Sequence, residues 1–110
     1  MKWKIRYFSE KVRNGIEQWP IGIRAHYARI TERMKIFGPN LGMPFTRPMG
    51  RGLFEIRAKG KEGIGRAFFC TVIDNEILIL HEMIKKSQKP PQKDIEIARQ
   101  RLKEAINERA

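Results

Sequence analysis

Trp3, Ile5 and Tyr7 alternate with Lys4 and Arg6, a period of two that predicts a half-buried strand over residues 2–8. Ser9 then stands where a helix N-cap belongs. Val12, Ile16 and Trp19 recur at helical spacing until Pro20 interrupts them, which gives a short helix over about 10–18. Beyond Pro20, the residues Ile23, Tyr27, Ile30, Met34 and Phe37 step by four, three, four and three. This stripe predicts a longer helix that stops at Gly38-Pro39, and the two helices make an αα-hairpin. Gly38, Gly42 and Gly50, interleaved with Pro39, Pro44 and Pro48, make residues 38–50 read as a loop without regular structure. Three runs rich in Ile, Phe, Leu and Val follow at 53–59, 64–73 and 77–84, with turn signals at Gly60–Gly63 and Asp74-Asn75. Connections this short predict an antiparallel meander. The runs from Ala67 and from Ile77 are apolar on both faces, which places those strands centrally, with helices expected over one side. From Asp94 a last helix gathers Ile95, Ala98, Leu102, Ala105 and Ile106 on one face. The expected class is α+β in the order β-α-α-β-β-β-α, an antiparallel sheet packed against helices.

Composition sharpens this picture. At 110 residues the chain has the size of one domain, 1–110, with 41% hydrophobic and 32% charged residues, which excludes a disordered class. Its 23 Lys and Arg against 12 Asp and Glu give a net charge of +11, and a field of that sign attracts polyanions, nucleic acid first among them. Residues 1–50 carry 10 basic and 3 acidic groups and residues 51–110 carry 13 and 9. The charge is therefore spread through the fold rather than held in a tail. No apolar run approaches the ~20 residues of a membrane span, and the start lacks the apolar stretch of a secretory signal. One cysteine, Cys70, permits no internal disulfide, in keeping with a cytoplasmic setting.

The candidate chemistry is narrow. Neither GxGxxG nor Gly-Lys-Ser/Thr opens a helix, and one Cys with two His leaves no structural zinc set, so neither a metal nor a cofactor is expected. Cys70, in an apolar strand, reads as core rather than as a nucleophile paired with His81. What remains is a set of charges on or beside strands: Glu55, Arg57, Arg66 and Lys85-Lys86. Period-two geometry puts Glu55 and Arg57 on one face, opposite Phe54 and Ile56. Arg66 and the two lysines belong near the same strand ends, so four cations are expected around one carboxylate. A solvated face with a structural Glu-Arg pair would show the same pattern. The segment KKSQKPPQK (85–93) adds lysines with no acid. His81 shares the parity of Met83 and Lys85, which makes it either a site contact or a satisfied sheet histidine. His26 reads as a helix-surface residue.

GLFEIR (52–57), GRAFFC (65–70) and ILILHEMIKKSQKPPQKDIEIARQR (77–101) resemble the RelE/ParE superfamily of type II toxin-antitoxin toxins, in particular its phage-related HigB-like branch. That branch shows a Leu-aromatic-Glu-Leu/Ile-Arg strand and an Arg-initiated aromatic strand. A Leu-Leu-His-x-Phe-x-Lys-Lys-[Ser/Thr]-x-Lys-x-Pro stretch leading into an Ile-Glu-x-Ala helix completes the pattern. The similarity is dense over residues 50–103. Two departures stand out: Met83 replaces a Phe, and Gly65 stands before Arg66 where an aromatic able to stack on bases is common. The resemblance implies a microbial-RNase-like RelE fold whose concave sheet face cleaves mRNA on the ribosome, as a metal-independent endoribonuclease silenced by a cognate helix-turn-helix antitoxin. Carried over by position, Arg57 and Arg66 are the phosphate clamp, and Lys85 and Lys86 bind RNA and supply protons. Glu55 is either the base for the 2′-hydroxyl or a residue that orients the others. Arg51, Lys59, His81 and Lys89 flank this set as expected RNA contacts. Two other functions fit the same charge: a ParE-like inhibitor of DNA gyrase, and a nucleic-acid-binding module without catalysis.

Overall fold

The computed structural model describes residues 2–85 and 89–109. The chain runs through β1 (Lys4–Tyr7), α1 (Glu10–Glu17), α2 (Ile21–Phe37), β2 (Thr46–Gly50), β3 (Leu53–Gly60), β4 (Gly63–Val72), β5 (Glu76–Lys85) and α3 (Gln92–Arg109). One five-stranded sheet results, in the order β1-β5-β4-β3-β2. The meander β3-β4-β5 is antiparallel as its short turns require, whereas β1, separated from β5 in the chain by the helical hairpin and three strands, pairs with it in parallel.

Residues 46–50 form an edge strand rather than the expected loop, with Thr46 opposite Ile56, Arg47 opposite Glu55 and Pro48 opposite Phe54. Proline cannot donate to a ladder, and an edge strand tolerates it; the full order is therefore β-α-α-β-β-β-β-α. The helices also cover both faces of the sheet, not one. Val12, Ile16, Trp19, Ile23, Tyr27, Ile30 and Met34 of the hairpin pack on Ile56, Ala58, Ala67, Phe69, Ile77 and Ile79. On the other face Ala98, Leu102 and Ala105 of α3 pack on Leu53, Phe68, Cys70 and Leu80. That double cover explains why β4 and β5 read as apolar on both sides. Phe37 and Ile106, expected on the apolar stripes, stay exposed at the helix ends.

Local chemistry agrees with these elements. Ser9 caps α1 by accepting from the Val12 amide. Trp19, buried between the two helices, donates its indole N–H to Glu82 of β5 at 2.7 Å, and the Tyr7 and Tyr27 hydroxyls meet at 3.0 Å. Burial and the neighbouring Tyr7 push the Tyr27 phenol well above its ordinary range. His26 is more than a surface residue. Strand β2 pairs only with the first half of β3, so the outer edge of the second half is met by the Phe45 carbonyl, which accepts from the Arg57 amide, and by His26 Nδ1, which accepts from the Lys59 amide at 2.8 Å. Among the described residues no helix is long and apolar enough to cross a membrane.

Candidate active site

Strand parity sorts the charges onto the α3 face. Leu53, Glu55, Arg57 and Lys59 alternate toward it along β3, and their neighbours on β4 and β5 follow from the register. One row across the sheet is Arg47, Glu55, Phe68 and His81; the next is Arg57, Arg66 and Met83; the third is Lys59, Ile64 and Lys85. The register slips between Phe68 and Phe69, which oppose His81 and Ile79, so both Leu80 and His81 turn toward the α3 side. Without that slip His81 would point into the hairpin core.

Glu55 is the hub. Its Oε1 lies 2.7 Å from Arg47 Nε and 3.7 Å from Arg57 Nε, and its Oε2 lies 3.1 Å from Arg66 Nε. Glu55 and Arg66 are wholly buried and Arg57 is 5% exposed, while 32% of the Arg47 side chain meets solvent. These four side chains sum formally to +2. Burial pulls the Arg66 guanidinium below its ordinary value; Glu55 opposes this, and Arg57 and Arg47 add to it. An arginine remains a cation through such a change. A charge set of this kind is costly to hold away from water, which marks it as a functional-site candidate.

The expected residues divide clearly. Glu55, Arg57 and Arg66 come together. Lys85 and Lys59 are exposed one row further on, so the cations that reach Glu55 are the three arginines and not Lys85. Arg51 is exposed at the β2–β3 turn, and Lys89 is exposed ahead of α3. Lys86 lies outside the described residues. Arg47 was missed because the Pro/Gly-rich segment masked its strand. The alternation Thr46-Arg47-Pro48-Met49 beside a strand carrying an acid was the available signal.

Position 65 is also clarified. Gly65 pairs with Ala58 and Ile84 on the hairpin face, and a Cβ there would fall 2.6 Å from the Trp19 ring and 2.7 Å from Ile23 Cγ2. An aromatic at 65 would therefore enter the core and not the cation face, so its absence costs the site no stacking ring. Cys70 sits in the core beneath α3, and burial pushes its thiol up to about 11. It is a packing residue. Among the described residues no cluster of three or more His, Cys, Asp or Glu is placed to hold a metal ion.

His81 makes a contact of its own. Its Nε2 lies 2.7 Å from Asp94 Oδ1 in the first turn of α3, and its ring lies parallel to that of Phe68 with centroids 6.1 Å apart. The start of α3 is thereby fixed to the row that contains Glu55. Further along, Arg99 donates to the Met49 and Gly50 carbonyls of β2, and Arg101 donates to the Leu80 carbonyl.

Among solved structures, a chain of the archaeal RelE-RelB complex from Pyrococcus horikoshii OT3 is similar to this one, with a TM-score of 0.58, 17% identity, and coverage of 81% of this chain and 100% of that chain. The RelE fold expected from the sequence is the fold found. No curated protein matches in sequence. Residues 14–103 match the family model described as Phage derived protein Gp49-like (DUF891). Because that span contains every side chain of the cation face from Arg47 to Asp94, the face is a feature of the matched region, and the chain belongs to the phage-derived Gp49-like family.

Proposed function

We propose that this protein is the toxin of a type II toxin-antitoxin system, an endoribonuclease that cleaves mRNA on the ribosome from the α3 face of its sheet. The observation that carries this reading is the Arg47–Glu55–Arg57–Arg66 cluster, which holds three guanidiniums around one carboxylate on the α3 face of the sheet. Cleavage by the 2′-hydroxyl builds negative charge on a pentavalent phosphate, and preorganised cations in a water-poor site stabilise it. Arg47 and Lys85 meet the backbone first, with Lys59, Arg51 and Lys89 extending the contact and Lys86 assigned to the same strand end by position. Arg57 and Arg66 supply the positive field behind them, less screened because they are buried. Glu55, each of whose oxygens faces a guanidinium, orients the arginines rather than carrying protons.

The RelE-RelB likeness supports a protein partner. A chain of +11 suits an antitoxin with acidic and apolar residues, of the helix-turn-helix kind, and the exposed Lys11, Arg13, Arg24, Arg29 and Arg33 of the hairpin offer a basic surface remote from the cluster. The sealing of Arg57 and Arg66 favours a second reading, in which the cluster is structural and the exposed cations bind nucleic acid without cutting it. Purified chain incubated with ribosomes programmed with a defined mRNA separates the two. New RNA ends support the toxin reading, and binding without cleavage supports the second.

A further inference from the structure

The cluster leaves one chemical role unfilled. Attack by a 2′-hydroxyl needs a group that takes its proton, and Glu55 is enclosed by arginines. We infer that His81 is the general base of this site and that Asp94 is its positioning residue; the inference rests on the cleavage reading above. Ionised Asp94 can only accept hydrogen bonds, so His81 must donate to it from Nε2–H. In the neutral ring the proton therefore sits on Nε2 and the lone pair on Nδ1. Among the described residues nothing bonds to Nδ1, and the base is left available.

Placement agrees with this chemistry. His81 stands in the Glu55 row and is the diagonal neighbour of Arg66, which pairs with Met83 two residues further along β5. Diagonal neighbours across a ladder lie about 7–8 Å apart at the backbone, which puts a phosphate held at His81 within the field of the buried Arg66. Phe68, wholly buried, lies against one side of the ring and Asp94 fixes its rotation. His81 Nδ1 takes the 2′-hydroxyl proton, the O2′–P bond forms, and the P–O5′ bond breaks. The departing 5′-oxygen takes a proton from solvent water, and the imidazolium returns its own to solvent. The products are a 2′,3′-cyclic phosphate and a 5′-hydroxyl. Charged groups on the elements packed around the imidazole are Asp94 and Arg101 of α3, Arg66 of β4, Glu55 and Arg57 of β3, Arg47 of β2 and Lys85 of its own strand, and of these Asp94 bonds to the ring.

The test is single-turnover cleavage of ribosome-bound mRNA by the full chain, followed from pH 5 to 9. His81→Ala should lose about 100-fold or more in rate and regain part of it with added imidazole. His81→Gln, whose amide can still donate to Asp94, should match wild type in thermal midpoint and remain inactive. Asp94→Asn should lose about 10- to 100-fold and displace the acid limb of the profile. A folded His81→Gln that cleaves at the wild-type rate with an unchanged profile overturns the dyad and leaves the nuclease reading intact. Wild type that binds programmed ribosomes and never cuts overturns both.

Discussion

Arg47 of β2 and Glu55 of β3 stand directly opposite one another in the ladder, and their side chains meet at 2.7 Å. This is the shortest of the three contacts to the carboxylate and the one that reaches solvent. Arg47→Ala should therefore leave a folded protein, since Arg57 and Arg66 still face Glu55, at a cost of about 1–3 kcal/mol. Growth arrest should weaken at least tenfold in the inducer needed. Thermal unfolding and titrated induction check the two parts.

Glu55→Leu removes the shared anion from among three cations. Losing one partner of a buried pair costs about 3–5 kcal/mol, enough to unfold a marginal domain. Pairing it with Arg66→Met should recover part of the loss while activity stays absent. Urea melts of the two single variants and the double variant should be non-additive.

Gly65→Ala places a methyl group against Trp19 and Ile23 on the face opposite the cations. A destabilisation of about 1–3 kcal/mol is expected, with the activity of the folded fraction unchanged. Comparing the activity of soluble protein with its thermal midpoint checks this.

His26 has its pKa lowered by burial and by Arg29, and by Lys59 to a smaller extent. A histidine whose folded pKa is depressed binds fewer protons folded than unfolded. Its contribution to stability is full above about pH 6.5 and is lost as the pH falls from there through the folded value. His26→Asn, which can keep an acceptor for the Lys59 amide, should lose less stability than wild type between pH 7.5 and 5. Thermal midpoints at the two pH values provide the measurement. A wild-type drop no larger than the variant's would reject the His26 assignment.

Most elements were legible because each carries its own period. The stripe Ile23, Tyr27, Ile30 and Met34 and the Ser9 cap define the hairpin, and the three apolar runs define β3 to β5. Strand β2 was not legible, since its propensities oppose a strand and tertiary contacts stabilise it, among them its pairing with β3, the Arg47–Glu55 ion pair and the hold of Arg99 on its carbonyls. With it went Arg47. Glu55, Arg57 and Arg66 were readable from parity alone, whereas the burial of the cluster depends on α3 and on tertiary packing that no local pattern encodes. Asp94 read as a helix start, and its bond to His81 needs the register slip at Phe68.

The proposed antitoxin should associate with this chain at a rate that falls steeply from low to physiological salt, while dissociation changes little. Stopped-flow mixing at several ionic strengths checks this. An association rate indifferent to salt would remove charge steering from the account.

If the cation face cleaves mRNA, primer extension on cellular transcripts after induction will map the cuts. Wild type should produce discrete new 5′ ends within translated regions. The Arg57→Met/Arg66→Met double variant, which removes the buried positive field and leaves Arg47 on Glu55, should produce none. Growth arrest with intact messages, or undiminished cleavage by the folded double variant, would contradict cleavage by this face.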